Sequence, residues 1–322
     1  MWSAFFYRIP RRTVLCLTAG LLLITGKVMA DAVSLHKKHE AIASKLTENS
    51  LGIPLHLESI SEHRTIRGDV YGIIHHPFSI VRNALATPAN WCDIVPQHIN
   101  IKACTYQPVN GECRLTFYSG RKYYKNPDDV FRFNYRYTTS SLQTAYFHTS
   151  LTAKKGPLDT KDYRITAEAI PLSPVSTFIH FSYAYRYGAV TRLAMAGYFA
   201  SLGNKKIGFS VVDRDKNGNL VYVDGIQGVV ERNSIRYYFA IQAFLDSQHT
   251  QPADRFEHRI NHWFDLTEKY HQQLFELEKK DYLVYKRRER NDQLRLQKTI
   301  DLVTQTGSMN TTANALCSIK GM

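Results

Sequence analysis

Residues 178–187 read Phe-Ile-His-Phe-Ser-Tyr-Ala-Tyr-Arg-Tyr, a sequence in which apolar and polar side chains largely alternate. A period of two places successive side chains on opposite faces of a β-strand, so this pattern predicts a strand with one aromatic and one polar face. The chain leaves at Gly188 into residues 190–199, Val-Thr-Arg-Leu-Ala-Met-Ala-Gly-Tyr-Phe, which predict an apolar helix. We expect this helix to lie across the aromatic face. The two elements together predict a pocket for an apolar ligand.

Similar segments precede this strand along the chain. Residues 130–138 alternate aromatic with polar side chains, and glycine, proline or polar turn residues bound each segment. Two short helices, at 77–86 and 87–94, are predicted after the strand at 63–74. The remaining predicted strands are at 63–74, 99–106, 113–118, 143–153 and 162–169. The sequence therefore predicts an α+β fold with a curved antiparallel sheet.

The first 30 residues have the organisation of an export signal. Three arginines precede an apolar segment at 14–24, and residues 28–30 (Val-Met-Ala) provide small or compact side chains at the cleavage positions. The apolar segment is shorter than the roughly 20 residues that span a bilayer. We therefore expect cleavage after Ala30 and a periplasmic mature protein, with an uncleaved anchor as the alternative.

Cleavage lowers the net charge from +13 to +9, because residues 1–30 contain four basic and no acidic side chains. Outside the cytoplasm such a surplus favours anionic lipid, envelope polymer or an acidic ligand, and we expect no nucleic-acid partner. Solubility alone also accounts for the charge. The basic run at 286–290 is the candidate contact with an anionic membrane surface, the alternative being a solvated helix end.

Four cysteines follow the predicted cleavage site, and an oxidising compartment favours a disulfide among them. Cys104 and Cys113 flank a turn and could pair across a hairpin. Pairing of Cys92 with Cys104 would instead join a helix end to a strand, and we favour it because no turn already holds these two elements. Cys317 is expected to be unpaired, and no spacing resembles a zinc site.

The C-terminal third is predicted to be mainly helical. A hairpin at about 215–218 precedes a helix at 226–246, and a second helix is predicted at 254–283, where apolar residues recur every three, four or seven positions. The predicted organisation is a signal peptide at 1–30, an N-terminal helical segment at 31–60, a sheet domain at 61–212, a C-terminal hairpin and helical extension at 213–303 and a disordered tail at 304–322.

This order of elements resembles the START and polyketide-cyclase-like superfamily, also called SRPBCC, which has a helix-grip fold. The resemblance covers residues 63–203. Residues 90–94 (Asn-Trp-Cys-Asp-Ile), 120–124 (Gly-Arg-Lys-Tyr-Tyr) and 156–164 (Gly-Pro-Leu-Asp-Thr-Lys-Asp-Tyr-Arg) resemble an exported bacterial branch without assigned activity. The resemblance implies that a lipid, sterol or aromatic polyketide binds between sheet and helix, and some members are cyclases or hydrolases. The additional C-terminal helices depart from the family pattern.

Aromatic side chains are the candidate ligand-binding residues, and the alternative is that they form a solid core. Tyrosine hydroxyls favour a cavity, since buried hydroxyls need hydrogen-bond partners. The predicted lining comprises Trp91, expected near the mouth, with Phe131, Phe133, Tyr135, Tyr137, Phe181, Tyr183 and Tyr185.

Two other patterns could carry chemistry. Residues 213–224 place oxygen-bearing side chains at calcium-loop positions, with Gly218 at the turn; the candidate ligands are Asp213, Asp215, Asn217 and Asp224. The loop lacks the bidentate glutamate and its flanks resemble strands, so a polar hairpin turn is the favoured interpretation. His180, Ser182 and Arg186 share one strand face, but that face is opposite the aromatic one, and we assign no catalytic residue.

We therefore expect an exported binding or carrier protein for a hydrophobic, lipid-like or aromatic ligand, with no cofactor. The alternatives are a cavity-based enzyme of the polyketide-cyclase or hydrolase type and an envelope protein-interaction module. An enzyme needs a polar constellation inside the cavity, whereas an interaction module needs an exposed apolar patch.

Overall fold

The computed structural model describes residues 31–142, 144–200, 206–307 and 317. The chain divides into two units, Met1–Ala43 and Ser44–Met322. Of the first unit, the structure describes a helix at residues 31–41 (α1). The predicted signal peptide lies outside the described residues. Within the described ranges, no helix has both the length and the apolar character needed to cross a membrane.

The second unit is built on one antiparallel sheet of eight strands. Its order is β1-β2-β8-β7-β6-β5-β4-β3, so the chain forms a hairpin, crosses to the far edge and returns through six consecutive strands until β8 pairs with β2. The strands are β1 Leu55–Glu62, β2 Thr65–Ile74, β3 Ile101–Val109, β4 Glu112–Ser119, β5 Phe131–Leu142, β6 Phe147–Lys155, β7 Thr160–Ser173 and β8 Ser176–Tyr187. A separate hairpin comprises β9 Val211–Arg214 and β10 Leu220–Tyr222.

The first strand of the sheet lies where the sequence predicted helix. β1 begins at Leu55, so the predicted N-terminal helical segment at 31–60 is wrong at its C-terminal end. The reason is that Leu55-His56-Leu57-Glu58 alternates with period two over only four residues before Ser59, which is too short a signal to stand out.

Eight further helices follow α1. They are α2 Ala43–Thr47, α3 Phe78–Ala86, α4 Pro88–Ile94, α5 Ala189–Ala200, α6 Gly225–Asp246, α7 Arg255–Glu268, α8 His271–Leu274 and α9 Lys279–Gly307 among the described residues. α3 and α4 lie between β2 and β3 and match the predicted helix pair. Pro77 immediately precedes α3 and Pro88 begins α4, positions that tolerate proline because no intrahelical N–H bond is lost there.

The predicted continuous helix at 254–283 is wrong, because the helical conformation is interrupted after α7 and again, from Phe275 to Glu278, before α9. Cations from other elements bind the carbonyls at this second interruption. Arg236 donates to Leu274 O at 3.1 Å, Lys206 donates to Phe275 O at 2.8 Å and Lys122 donates to Glu276 O at 2.8 Å. These are tertiary contacts, so the apolar periodicity of the segment could not reveal them.

The helix that packs across the sheet is α6, and the expectation that the helix after β8 would do so is wrong. α6 contacts β1, β2 and β8, and Val230, Ile235 and Phe239 are buried. In contrast, Leu193 of α5 is 76% exposed. α6 was placed in the C-terminal extension by the predicted division, yet it completes the core. The structure is therefore an α+β helix-grip fold in which the gripped helix follows an inserted helix and hairpin.

Two glycines on β2 permit the close approach of α6. A Cβ atom at Gly72 would lie 2.7 Å from Tyr238 Cζ, and one at Gly68 would lie 2.5 Å from Ser234 Oγ. Gly68 pairs with Tyr183 and Gly72 with Ile179, both on the same sheet face. Side chains at these two positions would push the helix away from the sheet.

The last helix covers the edge strand β3. Gln293 accepts from Cys104 N and Gln297 accepts from Tyr106 N, both at 2.9 Å. These bonds satisfy backbone groups that an edge strand would otherwise present to solvent. α9 continues to Gly307, so the predicted disordered tail is wrong for residues 304–307, and residues 308–316 and 318–322 lie outside the described residues.

The structure contains two disulfides. Cys92 in α4 pairs with Cys104 in β3, with Cα atoms 4.8 Å apart, which is the pairing that the sequence favoured. Cys113 in β4 pairs with Cys317, so the expectation that Cys317 is unpaired is wrong. A separation of 204 residues gives no sequence signal for such a contact.

Candidate ligand-binding site

Five tyrosines from four elements meet between the sheet and α6. Period-two alternation places Tyr135 of β5, Tyr163 of β7, and Tyr183 and Tyr185 of β8 on the inner face, and α6 adds Tyr237. The ring centroids of Tyr163 and Tyr185 are 5.0 Å apart, and those of Tyr183 and Tyr237 are 5.6 Å apart. We call these five residues the tyrosine cluster.

Local backbone geometry brings Tyr163 into the cluster. The register between β7 and β8 shifts after Lys161, and Asp162 has a φ of 55°, in the left-handed region. This irregularity is a β-bulge, which inserts an extra residue and turns the following side chain to the other face. The Tyr163 ring consequently lies edge-on to Phe133, with centroids 4.8 Å apart.

The hydroxyls of the cluster are mostly without protein partners. Tyr163 donates to Thr160 Oγ1 at 2.8 Å. The hydroxyls of Tyr135, Tyr183, Tyr185 and Tyr237 form no hydrogen bond with any residue that the structure describes. Tyr135, Tyr185 and Tyr237 are nevertheless at most 8% exposed. None of the four hydroxyl oxygens is among the fully buried atoms without a hydrogen-bond partner, so each borders space that water or a ligand atom can reach.

The electrostatics of the cluster keep its phenols neutral. Burial raises the pKa of Tyr163 to about 12. Burial also raises the pKa of Tyr183 well above its ordinary value, and the neighbouring Tyr163 and Tyr237 raise it further. The Tyr183 ring lies 5.7 Å from the Tyr185 ring and 6.3 Å from the Tyr163 ring between centroids, so these phenols are neighbours. The cluster can therefore donate several hydrogen bonds into one apolar site.

His98 lies beside the cluster and stacks on Tyr237, with centroids 4.7 Å apart. Its Nδ1 accepts from Asn100 N at 3.1 Å, so Nε2 carries the proton and donates to Asn233 Oδ1 at 3.2 Å. Burial lowers the pKa of His98 well below its ordinary value, which keeps the ring neutral. Because both nitrogens are engaged, this imidazole is not arranged as a general base.

The structure brings some of the predicted lining residues together. Tyr135, Tyr183 and Tyr185 belong to the cluster, Phe133 contacts Tyr135 and Tyr163, and Phe181 lies 6.0 Å from Tyr237 between centroids.

Three predicted lining residues lie elsewhere. Trp91 Nε1 and Tyr137 Oη both donate to Leu85 O, at 2.9 and 3.0 Å, which places them beneath the helix pair. Trp91 is 1% exposed and so does not lie at a mouth. Phe131 is 36% exposed at the end of the sheet, against Phe133.

Two cluster members were missed by sequence reasoning. Tyr163 begins an alternating series with Ile165, Ala167 and Ala169, and this signal could have identified it as an inward-facing residue. Tyr237 could not have been found in this way. It lies on a helix whose sequence does not show which layer it packs against.

The calcium candidate is a self-contained hairpin turn between β9 and β10. The Asp215 carboxylate accepts from Asn217 N, Asn219 N and Asn219 Nδ2 at 2.8 to 2.9 Å, and the bonds from Asn219 lower the pKa of Asp215. Asp213 accepts from Arg214 N. Asn217 and Asp224 complete the predicted set, and across the described ranges no group of three or more His, Cys, Asp or Glu side chains could hold a metal ion.

His180 on the outer face is held between two carboxylates. Its Nδ1 contacts Glu168 Oε1 at 2.7 Å, its Nε2 contacts Asp69 Oδ1 at 3.0 Å, and Tyr71 stacks on the ring at 4.3 Å between centroids. Burial lowers the pKa of His180, but the bonds to Asp69 and Glu168 outweigh burial and raise it overall. Both nitrogens are occupied, so the imidazole is not available to activate Ser182.

The basic run at 286–290 is engaged in internal contacts. Glu289 accepts from Lys286 at 2.7 Å and from Lys102 at 2.9 Å, and all three side chains are buried. Arg287 binds Glu257, and Arg290 binds Asp93 at 2.8 Å. Within this run Lys286, Arg287 and Arg290 are therefore paired with carboxylates and Arg288 lies over the Tyr124 ring, whereas contact of the run with an anionic membrane surface stays a prediction.

Comparisons with known proteins add little to this description. No protein-family model matches the chain, and no curated protein is similar to it. Among solved structures, the chain is similar to a conserved protein of unknown function from Enterococcus faecalis, with 10% identity over 68% of this chain and 92% of that one and a TM-score of 0.33. It is also similar to human StAR-related lipid transfer protein 5, with 11% identity, 67% and 99% coverage and a TM-score of 0.33.

A third similar structure is norcoclaurine synthase from Thalictrum flavum, with 12% identity over 45% of this chain and 83% of that one and a TM-score of 0.30. At these identities and TM-scores the likeness carries no argument about function. The helix-grip arrangement is established by the chain's own strand order and by the packing of α6.

Proposed function

We propose that the protein binds a neutral apolar molecule that carries a hydrogen-bond acceptor, held at the tyrosine cluster between the sheet and α6. The observation that supports this proposal is the set of four hydroxyls without a described protein partner. A buried hydroxyl without a partner costs about 1–3 kcal/mol. The four hydroxyl oxygens keep solvent-accessible surface, so a ligand that displaces water from them must replace the lost hydrogen bonds. A ligand with carbonyl or hydroxyl groups would supply the missing partners.

The chemistry around the cluster supports binding rather than catalysis. Its polar groups are neutral phenols and the neutral imidazole of His98, whose two nitrogens are engaged. Phenols with raised pKa values donate hydrogen bonds but do not accept protons at neutral pH. An aromatic or lipid-like molecule with a polar end suits this combination of stacked rings and donors.

We further propose that the mature protein works outside the cytoplasm, in the periplasm. The export-like sequence at 1–30 supports this location. So do the disulfides Cys92–Cys104 and Cys113–Cys317, because such bonds persist in oxidising compartments.

A titration with prodan tests the binding proposal. Prodan is a neutral naphthalene with a carbonyl acceptor, and its fluorescence reports an apolar environment. We expect saturable 1:1 binding to the mature chain. The double variant Tyr183→Phe/Tyr237→Phe keeps both rings but removes two donors, so its affinity should fall about tenfold. Without ligand the same variant should be at least as stable as the wild type, since no hydrogen bond to a described protein group is lost.

The matched control is Tyr137→Phe, which removes a hydroxyl that donates to Leu85 O at 3.0 Å. We expect it to lower stability by about 1 kcal/mol and to leave prodan affinity unchanged. If the double variant were less stable than the wild type and bound prodan equally well, the cluster would be a filled core and the proposal would be wrong.

A further inference from the structure

Three large apolar side chains are exposed together at one end of the sheet. Leu158 in the β6–β7 turn is 62% exposed, and Val190 and Leu193 in α5 are 56% and 76% exposed. Thr191 Oγ1 donates to Leu158 O, and Gly188 N donates to Asp159 O at 3.1 Å, so the turn and the start of α5 are joined. Val190 and Leu193 are three positions apart and share a helix face. We call these three residues the apolar tip.

The backbone of the β6–β7 turn is strained at the apolar tip. Leu158 has a φ of 53° and Asp159 a φ of 61°. The left-handed region is unfavourable for leucine and readily adopted by glycine or asparagine. Because the Leu158 side chain stays largely exposed, its burial does not offset the free-energy cost of this backbone conformation. Strain of this kind is concentrated at functional positions, where the side chain contacts something outside the chain.

Cations outnumber carboxylates around the apolar tip, where Asp159 and Asp162 are also exposed. Lys154 and Lys155 precede the turn, Lys161 follows it, and Arg192 lies in the first turn of α5; all four are exposed and form no ion pair with a described residue. Lys161 is also directly opposite Arg186 across the strands, and Arg186 is paired with Asp162 at 3.4 Å.

The positive surface continues onto the outer face of the sheet. There a groove of about 660 Å³ is bordered by Lys154 and Lys155 and by three arginines, Arg114, Arg132 and Arg136. Arg114 lies directly opposite Arg136, so a second pair of like charges faces across neighbouring strands. Arg136 is paired with Glu112 at 3.0 Å and Arg132 with Asp128 at 2.7 Å, so the net positive charge of the groove comes from Arg114, Lys154 and Lys155.

We propose that this end of the molecule binds the surface of an anionic lipid bilayer. The apolar tip inserts between headgroups, and the surrounding cations contact lipid phosphates. A protein partner fits less well, because lysine is depleted at protein–protein interfaces and three of the four cations around the tip are lysines. This surface does not depend on the tyrosine cluster, so the two proposals can fail separately.

Vesicle sedimentation with the mature chain, residues 31–322, tests the proposal. The probes are vesicles of phosphatidylcholine alone and vesicles with about one third phosphatidylglycerol. We expect binding to the anionic vesicles that weakens as salt is raised. The variant Leu158→Asn/Leu193→Gln should bind at least about tenfold more weakly, since two inserted leucines are lost. Its thermal stability should be equal or higher, because asparagine accommodates a positive φ.

Matched controls exist elsewhere on the chain. Val175 is 67% exposed in the turn at the opposite end of β7, and Val175→Gln should bind like the wild type. Lys154→Glu/Lys155→Glu should abolish the preference for anionic vesicles, whereas Lys216→Glu in the β9–β10 turn should not. Tyr183→Phe/Tyr237→Phe should also bind vesicles normally, whatever its effect on prodan.

Three results would overturn the proposal. They are absence of binding to either vesicle, equal binding to both vesicle types, and unchanged binding by a folded Leu158→Asn/Leu193→Gln variant. Capture of a protein partner through the apolar tip, without vesicle binding, would likewise replace the bilayer by that partner.

Discussion

At the scale of single residues, His180 shows how the outer face of the sheet is stabilised by charge. Burial opposes its protonation, yet the carboxylates of Asp69 and Glu168 raise its pKa above 6.5. In return, bonds from His180 hold the pKa of Asp69 below 3.8 and that of Glu168 below 4.5, against the effect of burial. The interactions among these three side chains are therefore most favourable when all three are charged.

This pairing predicts a pH-dependent stability. The raised pKa of His180 contributes stability that is complete below about pH 6.5 and is lost as pH rises through the folded-state pKa. The lowered pKa values of Asp69 and Glu168 contribute stability above about pH 4.5 that is lost as pH falls through their folded-state values. The free-energy advantage of the wild type over His180→Gln should therefore be largest near pH 5–6.5.

Urea unfolding of both proteins at pH 5.5 and 8.5 measures this difference. His271→Gln is the control, because His271 contacts Glu268 on the surface with 58% side-chain exposure, where an ion pair contributes little to stability. An advantage for the wild type that is equal at both pH values, or larger at pH 8.5, would contradict the assignment.

The candidate site also illustrates what single residues reveal from sequence. Alternation identifies Phe133, Tyr135 and Tyr183 as inward-facing, because one pleated face packs on the core. Alternation does not distinguish one position along a strand from another, so Tyr137 was grouped with them although its hydroxyl bonds to Leu85 under the helix pair. Which hydroxyls lack partners depends on the other layer and is visible only in the fold.

At the scale of elements, the position of α6 on β2 distinguishes this fold from the one expected. Chain proximity favoured α5, which directly follows β8, but α5 offers mostly small side chains and an exposed Leu193. The informative signal was on the strand. Gly68 and Gly72 lie four residues apart on one face of β2, and glycine within a strand often marks the close approach of another backbone.

Substitution of these glycines tests the packing. Gly72→Ala places a Cβ atom 2.7 Å from Tyr238 Cζ and should lower the unfolding free energy by about 1–3 kcal/mol through overpacking. Gly197→Ala in α5 is the control: outside its own helix, no atom of the described residues lies within 4 Å of the added Cβ, and an alanine in a helix should raise stability by about 0.5–1 kcal/mol. Chemical denaturation of both variants measures the two effects. Equal stabilities would show that α6 does not pack closely on β2.

At the scale of the whole molecule, the predicted C-terminal extension is part of the sheet unit. α6 fills the inner face, α9 covers the edge strand β3, and Cys317 is bonded to Cys113 in β4. The sequence predicted the α+β class, most of the strands and the helix pair, since these follow from local periodicity. It could not predict how the C-terminal helices close the fold, because glutamine–backbone bonds and a disulfide across 204 residues leave no periodic signal.

Native mass spectrometry of residues 31–322, purified without detergent from the cells that produce the protein, tests ligand binding at the tyrosine cluster most directly. We expect a stoichiometric neutral, apolar species that co-purifies with the wild type and is lost or reduced in Tyr183→Phe/Tyr237→Phe. A ligand-free mass for the wild type, together with a failure to bind prodan, would contradict ligand binding at this cluster.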